Sequence, residues 1–285
     1  MPHMQANPVF VAFASAVDFA RRAMAKAKLD DACIHALRKS LKRARGALRM
    51  LREGLNAGDY RRANLACRDV GHYLSPLRDA HVLLRTLDRF AAGNSAGLRA
   101  IAQTRKLFES ERDQHLAELD TSALRGRCVT LLETGCGPVL LPSVAALDAP
   151  ALRKGLRRMY RSARRAYVTA HREGDGESLH EWRKQTKYLR TGADLLAEAG
   201  ARGLKKLSRQ AERIADQLGE EHDLAVLERS LRARGGDIDA PELIARLAQR
   251  RRVLQAKALR VGEKAFALRA GEFVAAVKLP KARTR

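Results

Sequence analysis

Two stretches of the chain carry one pattern of residues suited to chemistry. "HALRKSLK" at 35–42 and "HEWRKQTK" at 180–187 both read H-x-x-R-K-x-x-K. Arginine offers a planar fork that matches two oxygens of a phosphate or carboxylate, and lysine offers a compact charge. An imidazole can donate one hydrogen bond when neutral and two when charged. Held among cations it resists protonation, and a bound polyanion reverses that bias. The pattern therefore points to anion binding. The first copy is the denser one, since residues 35–52 hold seven Lys or Arg and no acid.

Each residue of a helix advances 100°. With His35 at zero, Arg38, Lys42, Arg45, Arg49 and Arg52 fall on one stripe about 100° wide, while Lys39 and Arg43 lie on the far side. The leucines centre roughly 100° from the middle of that stripe, not opposite it. In the second copy His180, Arg183, Lys187 and Arg190 share a stripe. Trp182, Leu189 and Leu196 are adjacent to it, and Lys184 and Tyr188 are placed outward. A merely solubilising face belongs opposite the core. A stripe at the core's margin runs along the groove between packed helices. Further cations are candidates to join it: Arg21 and Arg22 before the first copy, Arg157, Arg161 and Arg164 before the second, and Lys206, Arg209 and Arg213 after it.

Other chemistries find less support. "HD" at 222–223 is a phosphohydrolase fragment, but that reaction needs further His and Asp ligands, and no such set stands out by spacing. Neither motif histidine has a second His or a carboxylate three or four residues on, so no metal is expected. GxxxxGK[ST] and HExxH are absent, no nucleophile is paired with a base, and no cofactor is implied. Cys33, Cys67, Cys128 and Cys136 lack CxxC spacing and are expected as small buried residues in a reducing compartment.

The elements that must carry these stripes are helices. Apolar residues recur by three and four, as in Ile34, Leu37, Leu41, Ala44, Leu48, Leu51 and Leu55, and strand-like alternation is missing. Gly, Pro, Asp, Asn and Ser mark breaks at 29–31, 56–59, 91–97, 133–142, 172–178, 199–203 and 234–241, leaving nine or ten helices. Pro76 and Gly219 are expected to interrupt two of the longest. A second repeated element, "LSPLRDAHVL" at 74–83 and "LGEEHDLAVL" at 218–227, lies 144 residues from its copy, and the H-x-x-R-K copies lie 145 apart. Two motifs in the same order at one offset indicate duplication. The chain reads as all-α, with homologous halves at 8–140 and 150–276 and a basic tail at 277–285.

A net charge of +23 on 285 residues calls for an anionic partner. Aromatics make up only 5%, against a surface that stacks bases. Nucleic acid therefore stands as the alternative partner, with no helix-turn-helix apparent. No segment is long and apolar enough to span a bilayer. "VFVAFASAV" has no preceding Lys or Arg and continues into "DFARRAMAKAK", so a cytoplasmic protein is expected.

These motifs resemble those of the CHAD family, the conserved histidine α-helical domain. Its first signature is matched by His35, Arg38, Lys39, Lys42 and Arg45, and by His180, Arg183, Lys184, Lys187 and Arg190. Its second, L-G-x-x-R-D, resembles Leu74–Val82, which contains Arg78, and Leu218–Val226. The resemblance spans nearly the whole chain. It implies two antiparallel four-helix bundles related by pseudo-twofold symmetry around a basic central pore or cleft. It also implies binding of inorganic polyphosphate, association with polyphosphate granules and their proteins, and no catalysis. Three positions depart from the pattern: Trp182 replaces an aliphatic residue, Ser75-Pro76 a Gly-containing turn, and His222 the arginine before Asp223.

Overall fold

The computed structural model describes residues 7–25, 31–91, 98–119, 122–140, 149–233 and 241–279, without the side chains of 31, 75–81, 91, 98–100, 112, 114–119 and 122. Among the described residues the helices are α1 (Pro8–Met24), α2 (Asp31–Leu51), α3 (Ala57–Tyr73), α4 (Ser75–Ala91), α5 (Leu98–Leu119) and α6 (Ser122–Cys136). After them come α7 (Ala149–Glu173), α8 (Gly176–Glu198), α9 (Lys205–Ala233), α10 (Pro241–Ala265) and the short α11 (Ala270–Ala275). The fold is all-α; the one β feature described is a bridge between Arg202 and Lys278.

Local chemistry starts these helices where the sequence signals them. Asn7 Oδ1 accepts the Val9 N–H at 2.9 Å with Pro8 in the first turn. Asn56 caps α3 through the Gly58 N–H at 2.7 Å, and Asp175 caps α8 through Ser178 N–H at 2.7 Å. Each satisfies a donor that the helix itself leaves unpaired.

Two expected breaks are corrected. Residues 133–136 complete α6 rather than starting a loop, because Gly135 lets that helix press on α3: a Cβ there would lie 2.5 Å from Ala66 Cβ. Gly219 sits inside a continuous 29-residue α9. A glycine costs a helix about 1 kcal/mol relative to alanine, too little to break one with an apolar face buried along its length. Pro76, by contrast, lacks an N–H and falls in the first turn of α4, where α3 has ended at Tyr73 and only Leu74 intervenes. The same repeated segment is thus two helices in the first half and one in the second. The expected breaks at 29–30, 92–97 and 234–240 lie outside the described residues.

The two motif helices, α2 and α8, pack directly against each other. Each is backed by the helix before it, α1 or α7, and by the one after it, α3 or α9. One apolar cluster joins Phe13, Leu37, Leu48 and Cys67 to Leu156, Trp182, Leu189 and Ile214, so residues of both halves share a core. A second cluster forms where α4 and α5 meet α9 and α10, around Leu87, Phe108, Leu227 and Leu247. Across α9 and α10, Arg251 joins two buried carboxylates. It donates to Glu221 at 3.0 Å and to Glu228 at 2.7 Å. Among the described residues no helix is long and apolar enough to cross a membrane.

Candidate anion-binding site

The first motif stripe lines a pocket of about 230 Å³ between α2 and α3. Ile34, Leu37, Leu41 and Leu48 are buried, as their period requires, and this turns Arg38, Lys42 and Arg45 to the edge of the core. From α3 come Arg68 and His72, and among the described residues no carboxylate belongs to the lining. Arg38 is fixed by donating from Nη1 to Gly71 O at 2.7 Å, and Arg45 by donating from Nε to Asn64 Oδ1 at 3.2 Å. Arg68 pairs with its neighbour Asp69 at 2.8 Å. Cys67 forms part of the wall, with its sulfur 3.8 Å from that of Cys136. The bond to Cys136 and burial both hold the Cys67 thiol protonated by raising its pKa. His35 is exposed at the start of the stripe, and Lys39 is exposed on the far side of the helix.

The stripe continues to the crossing of α2 and α8. A Cβ on Gly46 would lie 2.7 Å from Thr191 Cβ, so only glycine allows this approach. The close approach covers Tyr188, which the sequence places outward and the structure buries. Arg49 lies over its ring with the guanidinium carbon 3.9 Å from the centroid, and Arg45 lies at 5.6 Å. The Nε of Arg49 has no hydrogen-bond partner. Beyond it, Arg158 of α7 pairs with Glu53 and donates to Arg49 O. Burial and then the nearby Arg52, Arg49 and Arg161 push its pKa down to about 10.

The second copy is built differently. Arg183 lies across Gly219 of α9, its Nη2 3.5 Å from where a Cβ would be. His180 stacks obliquely on His222, with ring centroids 5.0 Å apart. Burial, then Arg183, His180, Arg229 and Lys187, lower the His222 pKa to about 4. Burial and the same two motif cations, with Lys184, also lower that of His180. Arg190 is tied to Glu212 at 2.7 Å and approaches Asp194 at 3.6 Å. Lys184 pairs with Glu181, and Arg43 on the far side of α2 pairs with Glu198 at 2.6 Å. Asp223, next to His222, lines a separate pocket with Arg89, Glu220 and Arg250. Among the described residues no three His, Cys, Asp or Glu side chains gather as a metal requires.

The remaining candidates are dispersed. Arg21 pairs with Glu133 at 2.5 Å and Arg22 with Asp18. Arg157, Arg161 and Arg164 line another pocket, against Arg269. Lys206, Arg209 and Arg213 are exposed on α9. The Arg78 side chain lies outside the described residues. Sequence reasoning missed Arg68, His72 and Tyr188, which enter through tertiary contact. Arg68 and His72 lie four apart on one helix face, a signal that was available.

The model of the CHAD domain family matches residues 12–232. The crystal structure of the CHAD domain from the plant Ricinus communis superposes with a TM-score of 0.64 at 20% sequence identity. The match covers 96% of this chain and 93% of that one. A search of curated proteins gives no match.

Proposed function

The chain belongs to the CHAD-domain family, and from that premise we propose that it binds inorganic polyphosphate without transforming it. The observation that carries this reading is the pocket of Arg38, Lys42, Arg45, Arg68 and His72, which has no carboxylate among its described lining residues and in which Arg38 and Arg45 are held in place by Gly71 O and Asn64. Polyphosphate presents closely spaced negative charge and no base to read. Rigid cations and little aromatic surface suit it. Binding then releases counterions from the polymer.

The α2–α8 crossing supports a two-half arrangement, 8–140 and 150–276, about a pseudo-twofold axis, each half a helical bundle. Gly46 and Thr191 occupy the same register of their motifs and meet each other. Both stripes then border one basic cleft. Retention on polyphosphate granules in the cytoplasm follows from affinity for the polymer, and granule proteins are met through it.

Titration with long-chain polyphosphate at two salt concentrations tests this. Affinity should fall by about 10³–10⁵ between 50 and 200 mM salt if six to ten phosphates are neutralised, by analogy with DNA. Changing Arg38, Lys42, Arg183 and Lys187 to Gln should weaken binding far more than changing Lys39, Arg43, Lys184 and Arg252, with folding checked by melting. Polyphosphate should also displace duplex DNA at matched charge. Equal losses from the two variant sets, or displacement only in the reverse direction, overturn the proposal.

A further inference from the structure

A second cationic pocket lies away from the motif helices. It has a volume of about 430 Å³ and opens between α7 and the turn that enters α11. Arg157, Arg161, Arg164 and Arg165 come from one face of α7, where spacings of three, four and eight bring side chains together. Arg269 closes it from the other side, and Val168, 49% exposed, adds an apolar edge. It shares no lining residue with the pocket at Arg38.

The far wall is fixed in place. Arg164 Nε donates to Phe266 O at 3.1 Å, and the Tyr160 hydroxyl donates to Ala265 O and Leu268 O, each at 3.1 Å. Arg153 donates to Val274 O at 2.8 Å. Tyr160 stacks on Phe273 with centroids 4.2 Å apart. Arg157 reaches over the backbone at Gly271, its Nη2 3.7 Å from where a Cβ would be. Glu272 accepts the Arg269 N–H at 2.8 Å.

Several arginines elsewhere are neutralised. Arg21, Arg43, Arg62, Arg190, Arg250 and Arg251 all have carboxylate partners. Among the described residues, none of the five arginines at this pocket makes an ion pair. Five unneutralised guanidinium groups on rigid supports repel one another until an anion enters. Their planar forks match phosphate oxygens in pairs.

We propose that this pocket is a second anion site, which takes a compact phosphate oligomer of three or more charges and is independent of the motif pocket. Its occupant is either a free oligophosphate or a segment of a longer polyphosphate chain. The proposal does not depend on what the motif pocket binds.

Calorimetric titration of the full chain with inorganic tripolyphosphate at 50 mM salt is the test. Changing Arg157, Arg165 and Arg269 to Gln should remove one equivalent of binding or weaken it by roughly 10- to 100-fold. These side chains are exposed, and the melting temperature should hold or rise as repulsion is relieved. The same three positions as Lys should recover part of the affinity. Changing Lys42, Arg45 and Arg68 to Gln should leave this equivalent intact. A Gln variant that titrates like the parent, or loss of every equivalent in the motif variant, overturns the second site. Undiminished long-chain binding by the motif variant would instead count against the proposed function and leave this site standing. Saturating long-chain polyphosphate added first separates the two sources: the equivalent is blocked if the chain reaches this pocket and persists if a free anion occupies it.

Discussion

Gly46 of α2 touches Thr191 of α8, and each stands eleven residues after its own motif histidine. The crossing has room for one side chain, and Thr191 supplies it. Gly46→Ala should therefore destabilise the protein by about 1–3 kcal/mol through overpacking, despite alanine's better helix propensity. Moving the glycine across the crossing, in Gly46→Ala with Thr191→Gly, should recover more than the two single costs allow. A double-mutant cycle in urea reads that coupling, and simple additivity would show that the helices do not depend on this contact.

The two halves should not contribute equally to anion binding. Arg190 is held by Glu212 and Asp194, whereas Arg45 donates to the neutral Asn64 and lies 5.6 Å from the Tyr188 ring centroid. Arg45→Gln should weaken polyphosphate binding more than Arg190→Gln does. Glu212→Gln should strengthen it and steepen the salt dependence by about one unit of slope as Arg190 is released. Titrations at several salt concentrations decide this, and an unchanged slope in Glu212→Gln would contradict it.

The His180–His222 contact makes stability and binding respond to acid in opposite directions. Both folded pKa values lie below the ordinary histidine value, His222 at about 4. Between about pH 6.5 and 4 the unfolded chain therefore binds more protons than the folded one. Stability of the free protein should be full above pH 6.5 and decline as pH falls through that window. His222→Gln should flatten the decline in melts followed by circular dichroism. A bound polyanion favours the protonated rings, so polyphosphate affinity should rise over the same window and protons should be taken up on binding. Affinity that is flat from pH 7 to 5 would remove the histidine pair from the site.

Arg251 should matter through its burial. Glu221 and Glu228 are 4% and 8% exposed, and Arg251 serves both. Burial works to raise the Glu228 pKa, but the bonds from Arg251 and Arg232 outweigh it and hold it ionised. Arg251→Met leaves Glu221 to the neutral Gln255 and Glu228 to Arg232, and should cost about 3 kcal/mol in denaturant unfolding, the low end for breaking a buried ion pair. It should leave the salt dependence of polyphosphate binding unchanged, since Arg251 lies away from the motif pocket.

The sequence by itself determined the helical class, the repeated motifs and the placement of Arg38, Lys42 and Arg45 beside the buried leucines. These depend on local periodicity: a helix fixes the angle between residues whatever it packs against. Tertiary structure alone decided what each cation faces. Arg43 and Arg190 meet carboxylates from distant segments, Arg49 meets Tyr188, and Arg157, Arg161 and Arg164 meet Arg269 rather than the motif stripes. A stripe on one helix gives the direction of a charge. Its partner is set by which other helix arrives there, and that depends on contacts as far apart in sequence as Gly46 and Thr191.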